Sequence, residues 1–234
     1  MKKIISAMFW KEFKIFLKGA FLMGLVYMFG IIFLVAKYLE GMNKAGIMDN
    51  DLVTIGYFIC VIVTVSIVGS TTMVFSTAQD NKEGVLNSLL ASVTRVSDVW
   101  LGQCLFYVLA SCIMAFAGLV GLSIWIKTEL LFTVSLDLKM ILLCMIVAPA
   151  IGALYNAISL FFAWVNPYDI LNVLPSMVLP FLLLYLLIKY VDKLGNWDVN
   201  VVSALLVGAV CMLLFWGLGK LINIVPKQNY VSKI

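Results

Sequence analysis

All 28 charged side chains, 16 basic and 12 acidic, fall outside six long runs that carry no charge: residues 19–36, 52–79, 99–126, 140–168, 170–188 and 199–219. Crossing the hydrocarbon of a bilayer takes about 17–25 residues of helix at 1.5 Å rise per residue. Every run meets that length, and the longer ones leave room for a polar helix end or a turn. Lipid offers no partner to a backbone N–H or C=O, so segments of this kind cross as helices. The chain therefore reads as an all-α membrane protein with six transmembrane helices in a single domain, residues 1–234. A hydrophobic content of 64% and a mean hydropathy of +1.10 fit no soluble domain of this length.

The formal net charge of +4 is sorted by loop, which is an orientation signal and not the footprint of a nucleic-acid binder. Counted alternately from the N-terminus, one set of loops holds 10 basic and 5 acidic residues, the other 6 and 7. The richer set faces the cytoplasm, which puts both termini inside a multi-pass protein of a bacterial plasma membrane. The lipid bilayer is its first partner, and nucleic acid is not expected.

Several kinds of chemistry are excluded by what is missing. Histidine is absent, which removes His-based zinc sites and Ser-His or Cys-His dyads. No aspartate falls inside a run. The five cysteines (Cys60, Cys104, Cys112, Cys144, Cys211) all lie within runs, in no CxxC pattern, and read as apolar packing residues. No catalytic residue, metal ligand or cofactor site is expected in the chain.

Residues 1–18 are not a signal peptide, because Lys11, Glu12, Lys14 and Lys18 interrupt any apolar stretch. At helical spacing Lys3, Lys11, Lys14 and Lys18 share one face, while Ile5, Phe9, Phe13 and Phe16 share another. The segment reads as a basic amphipathic helix lying on the inner leaflet, with Trp10 at the interface. Residues 41–51 carry turn chemistry and read as a short outer loop. The second run is rich in hydroxyls. Thr64, Ser66, Ser70 and Thr71, with Pro175 and Pro180 of the fifth run, are candidates for a polar substrate path. The competing reading of the hydroxyls is bonding back to their own helix. The two prolines break or kink the fifth span, which reads as partly re-entrant.

The longest cytoplasmic insert spans residues 80–98. Within it Val85, Leu86, Leu89, Leu90 and Val93 form one apolar stripe at helical spacing, with Asp80 and Glu83 near the positive end. A short helix between two spans either lies on the membrane or docks on a protein. The run acid-Gly-x-Leu-x-x-Leu-Leu-Ala-Ser, from Glu83 and Gly84 through Ser92, resembles the ABC-2-type transport permeases. The topology, the N-terminal amphipathic helix and the proline-broken fifth span are similar to that family as well. The motif departs from the family pattern at Val85 and Val93, and at Gln103, where a Lys after the Gly is frequent.

The resemblance implies a membrane subunit of an ABC exporter. Glu83, Gly84, Leu86, Leu89 and Leu90 would seat in a groove of a separate cytosolic ATPase, and Asn166, Pro167, Tyr168 and Asp169 would form a second contact. ATP and Mg would be bound by that partner, since this chain has no GxxxxGK[ST] loop. Two permease copies would pair, as a homodimer or with a close paralogue. The uncharged bundle favours an apolar or amphipathic cargo such as a drug, peptide or lipid. The alternatives are an ion-coupled secondary transporter, which ordinarily carries an acid or base within its spans, and a non-catalytic assembly subunit.

Overall fold

A computed structural model of the chain describes residues 2–82, 95–165 and 198–224, together with the single positions Ser88, Leu182, Tyr185, Leu186 and Lys189. Among the described residues every regular element is helical. In chain order they are α1 (Lys2–Ile15), α2 (Phe21–Lys44), α3 (Asn50–Lys82), α4 (Val96–Glu129), α5 (Leu138–Leu142), α6 (Ala148–Val165) and α7 (Val201–Ile224). Five stretches are long and apolar enough to cross a membrane: Ile4–Lys44, Asn50–Thr77, Val96–Glu129, Leu138–Trp164 and Val201–Ile224. They correspond to five of the six expected spans. The remaining run, 170–188, lies outside the described residues apart from Leu182, Tyr185 and Leu186, and so do Pro175 and Pro180.

Two single turns of π-helix join consecutive helices. Phe16–Ala20 links α1 to α2, and Leu143–Val147 links α5 to α6. The second has an evident cause in Pro149, whose ring would crowd the carbonyl four residues back in an ordinary α-helix. Widening the preceding turn, with the Ala148 N–H bonded to the Leu143 carbonyl, relieves that conflict without breaking the helix. At Phe16–Ala20 the joint expected between an interfacial helix and the first span is a widened turn in one continuous rod.

α3 is the axis of the bundle. Its side chains from Val53 to Thr72 are buried all round, as expected of a helix that is apolar on every face. α2, α4 and α6 pack around it. α7 is peripheral, with only Ala204, Cys211 and Ile222 buried, so most of its surface is left to lipid. Close approach depends on small residues. A Cβ on Gly152 would stand 2.5 Å from Val65 Cγ1, and one on Gly69 would stand 2.1 Å from Asn156 Nδ2, which fixes the α3–α6 contact. Asn156 adds a cross-helix bond, its Nδ2 donating to the Val65 carbonyl at 3.1 Å.

α1 corrects the expectation of a helix resting its apolar face on lipid, because that face packs on protein. The rings of Phe9, Phe13 and Phe16 meet Phe106 of α4 edge-on at 5.2, 6.3 and 5.5 Å. Gly102 lets the backbones approach, and a Cβ there would lie 2.7 Å from Met8 Cβ and 3.1 Å from the Ile5 carbonyl oxygen. Trp10 remains exposed. The expected outer loop also shrinks at both ends. α2 runs on to Lys44 and α3 begins at Asn50, where the Asp49 carboxylate caps the Leu52 N–H at 2.8 Å. Gly46, at φ 71°, makes the turn between them.

Candidate functional site

The bundle buries a polar cluster at the end where α1, the C-terminal turns of α3 and α6, and the N-terminal part of α4 converge. Its centre is Glu12, fully buried on α1. Ser76 of α3 and Tyr107 of α4 donate their hydroxyls to Glu12 Oε2, at 2.5 and 2.8 Å. Gln103 Nε2 donates to Oε1 at 3.0 Å, and Lys11 Nζ lies 3.3 Å from the same oxygen. Both carboxylate oxygens thus have two donors. Compensation of this kind is what permits a carboxylate in a dry interior, where an unpaired charge would cost several kcal/mol.

Asp80 is the second buried acid, 1% exposed near the C-terminal end of α3. Its Oδ2 accepts from Lys11 Nζ and, at 3.2 Å, from Gln103 Nε2. Gln103 uses its whole amide, with Nε2 bridging both acids and Oε1 accepting the Trp164 indole N–H at 3.0 Å. Four helices are tied by one side chain. Among the described residues Lys11 is the cation that meets both carboxylates.

Sequence reasoning placed none of this. The sequence pattern puts Asp80 near the start of a cytoplasmic helix and Lys11 on a basic face. In the fold α3 extends through Lys82, and the two side chains meet inside the bundle. The expectation of an uncharged bundle is likewise corrected, since Glu12 and Asp80 are buried between helices although they sit outside the charge-free runs. A signal was present. Glu12 falls four residues from Met8 and from Phe16, so it stands on a buried stripe, and Asp80 follows Thr72 and Ser76 at steps of four along α3.

The candidate path residues behave differently. Thr64, Ser66, Ser70 and Thr71 are all buried on α3. Thr71 donates back to the Ile67 carbonyl at 2.6 Å and Ser70 to the same oxygen at 3.4 Å, the ordinary arrangement of a membrane helix. Glu83, Gly84, Leu86, Leu89 and Leu90 lie outside the described residues, as do Asn166, Pro167, Tyr168 and Asp169. The ends of the insert are described. Asp80 belongs to α3, and Asp98 to the first turn of α4. Among the described residues no three His, Cys, Asp or Glu side chains converge as a metal site.

The fold and the cluster define a multi-pass helical membrane protein whose spans are braced at one end by buried charge. No family model, curated protein or solved structure matches the chain.

Proposed function

We propose that the chain is the membrane subunit of an ATP-binding-cassette exporter, moving an apolar or amphipathic substrate outward when a separate cytosolic ATPase engages it. The observation that carries this reading is the position of the 83–94 insert. It joins the two longest helices of the bundle, α3 and α4, and the Glu12–Lys11–Asp80–Gln103 cluster lies where those helices meet it. A partner pulling on the insert would act on α3 and α4 together, and through Gln103 on α1 and α6. The motif resemblance of residues 83–92 supports the same assignment. In this scheme Leu86, Leu89 and Leu90 enter the ATPase groove, residues 166–169 make the second contact, and two permease copies flank the path.

A second reading has its own support. Two buried acids in contact with Lys11 are the kind of group through which proton-coupled transporters work, and they favour an ion-coupled mechanism without any ATPase. One experiment separates the two. The full chain, with whatever cytosolic ATPase co-purifies with it, is reconstituted in vesicles loaded with a fluorescent amphiphile. Efflux that requires ATP and persists with a protonophore supports the exporter. Efflux without ATP that collapses with the protonophore supports the ion-coupled carrier and overturns the first reading.

A further inference from the structure

A cleft of about 670 Å³ lies between α4 and α7, at the end of the bundle that holds the polar cluster. That is the volume of a ligand site, which ordinarily falls between about 300 and 1,000 Å³. The two helices touch at its edge, where the Ser97 N–H donates to Asn223 Oδ1 at 3.3 Å. Its lining divides by chemistry. Among the described residues of the lining, Arg95 and Lys220 bring two cations against one acid, Asp98. The rest of the wall is largely apolar, with Leu101, Met212 and Phe215, and with Trp100 packed on Phe215 at 5.4 Å. The Trp100 side chain is 1% exposed, and its indole N–H has no hydrogen-bond partner among the described residues. Lys220 Nζ is held 5.2 Å over the Trp216 ring. Met212 and Trp216 are exposed, so the cleft opens on the lipid-facing side of the bundle.

We propose that this cleft is a binding site for an anionic phospholipid, with the phosphate held by Arg95 and Lys220 and an acyl chain laid along Met212 and Phe215. Basic pockets between membrane helices favour anionic headgroups because each cation near the surface adds to the attraction. A free phosphate would use the cations and leave the apolar half and most of the volume unfilled. A zwitterionic lipid would fill the volume and gain less from the charge. The inference rests on the packing of α4 against α7 and is independent of the transport reading.

The test uses purified full-length protein, delipidated and equilibrated in mixed micelles containing phosphatidylglycerol or phosphatidylcholine, then re-isolated with its retained phospholipid counted by mass spectrometry. Wild type is expected to retain phosphatidylglycerol in preference to phosphatidylcholine. Arg95→Ala and Lys220→Ala should each weaken retention about fivefold, with Lys220→Arg restoring it. Gly219 provides a variant that leaves the charge alone. A Cβ there sits at an ordinary 3.6 Å from the Trp100 ring, so Gly219→Ala should bind as wild type, whereas Gly219→Leu should fill the cleft and abolish retention. Equal retention of the two lipids by wild type overturns the proposal, and so does wild-type retention by Gly219→Leu. Displacement of phosphatidylglycerol by millimolar glycerol phosphate would assign the site to a soluble phosphate ester instead. Should a variant elute as an aggregate, the lipid preference and the glycerol phosphate competition on wild type still decide.

Discussion

Glu12 is where the N-terminal helix is committed to the bundle. Truncating it removes the acceptor for Ser76, Tyr107 and Gln103 together and leaves buried donors unpaired, a penalty distinct from lost packing. Breaking a buried charge pair by deleting one partner costs about 3–5 kcal/mol. Glu12→Ala is therefore expected to lower the thermal midpoint of the protein in nanodiscs sharply. It should also expose Lys14 and Lys18, on α1 and the adjoining π turn, to faster proteolysis. Phe13→Ala, on the same helix but half exposed, should do much less. Equal midpoints for Glu12→Ala and wild type would mean that α1 is held by Phe106 and its aromatic neighbours alone. Charge at residue resolution was the least legible quantity in the sequence. Runs without charge mark lipid-exposed or buried helix, but an acid just beyond a run looks the same whether it is solvated or paired. Apart from Lys11, the partners that decide it for Glu12 lie 64 to 95 residues away.

Between elements, close packing is carried by a few positions where one helix has no side chain and its neighbour has one. Gly69 and Asn156 are such a pair. Alanine at 69 would place its Cβ 2.1 Å from Asn156 Nδ2, inside any permitted contact, so α3 and α6 must part or Asn156 must leave its site. Overpacking of this kind costs about 1–3 kcal/mol. Asn156→Ala alone gives up one interhelical hydrogen bond, about 0.6 kcal/mol in a membrane protein. The double variant Gly69→Ala/Asn156→Ala should therefore be more stable than Gly69→Ala, a reversal that additive effects cannot produce. Chemical unfolding of the three variants in mixed micelles measures it, and a double variant no better than Gly69→Ala would show that the strain lies elsewhere. Elements themselves were largely readable. Five spans fall where uncharged runs predict, since nothing but a helix satisfies the backbone in lipid. Their ends were not. α3 outruns its run to Lys82, with Asp80 paired inside the bundle, and α2 reaches Lys44, with Glu40 paired to Lys37 and Lys44. Continuity across Phe16–Ala20 was equally hidden, since basic residues and Gly19 together suggest a joint where the helix merely widens.

Among the described residues charge is collected at two ends of the molecule. Lys37, Glu40 and Lys44 pair at one, at 2.6 and 2.7 Å, and the Glu12 cluster closes the other. That polarity gives a topology test. The five native cysteines lie within the membrane helices, four of them buried, so an impermeant thiol reagent has little background. Asn43→Cys should be labelled on intact cells, and Lys14→Cys only after permeabilisation. The opposite pattern would invert the orientation and move the 83–94 insert outside, away from any cytosolic ATPase.

Given that orientation, the insert carries the final test of the exporter reading. Leu86 and Leu90 stand four apart in sequence and Leu89 adjoins them, so a helix there offers three leucines to one groove. Burying one leucine is worth about 1.5–3 kcal/mol, and about 1.4 kcal/mol is a factor of ten in affinity. Leu89→Asp should thus weaken ATPase binding at least about tenfold and lower ATP-driven efflux in proportion. Insertion and thermal midpoint should hold, because position 89 lies between α3 and α4 and outside the spans. Glu83→Ala should act more mildly, at about 0.3–1 kcal/mol for one charge at a helix N-terminus. The purified chain free of partner should hydrolyse no ATP, as it lacks a phosphate-binding loop. If Leu89→Asp co-purifies with the ATPase as wild type does, the leucine stripe rests on lipid. The buried Glu12–Asp80 pair then becomes the stronger lead, and the ion-coupled carrier displaces the exporter.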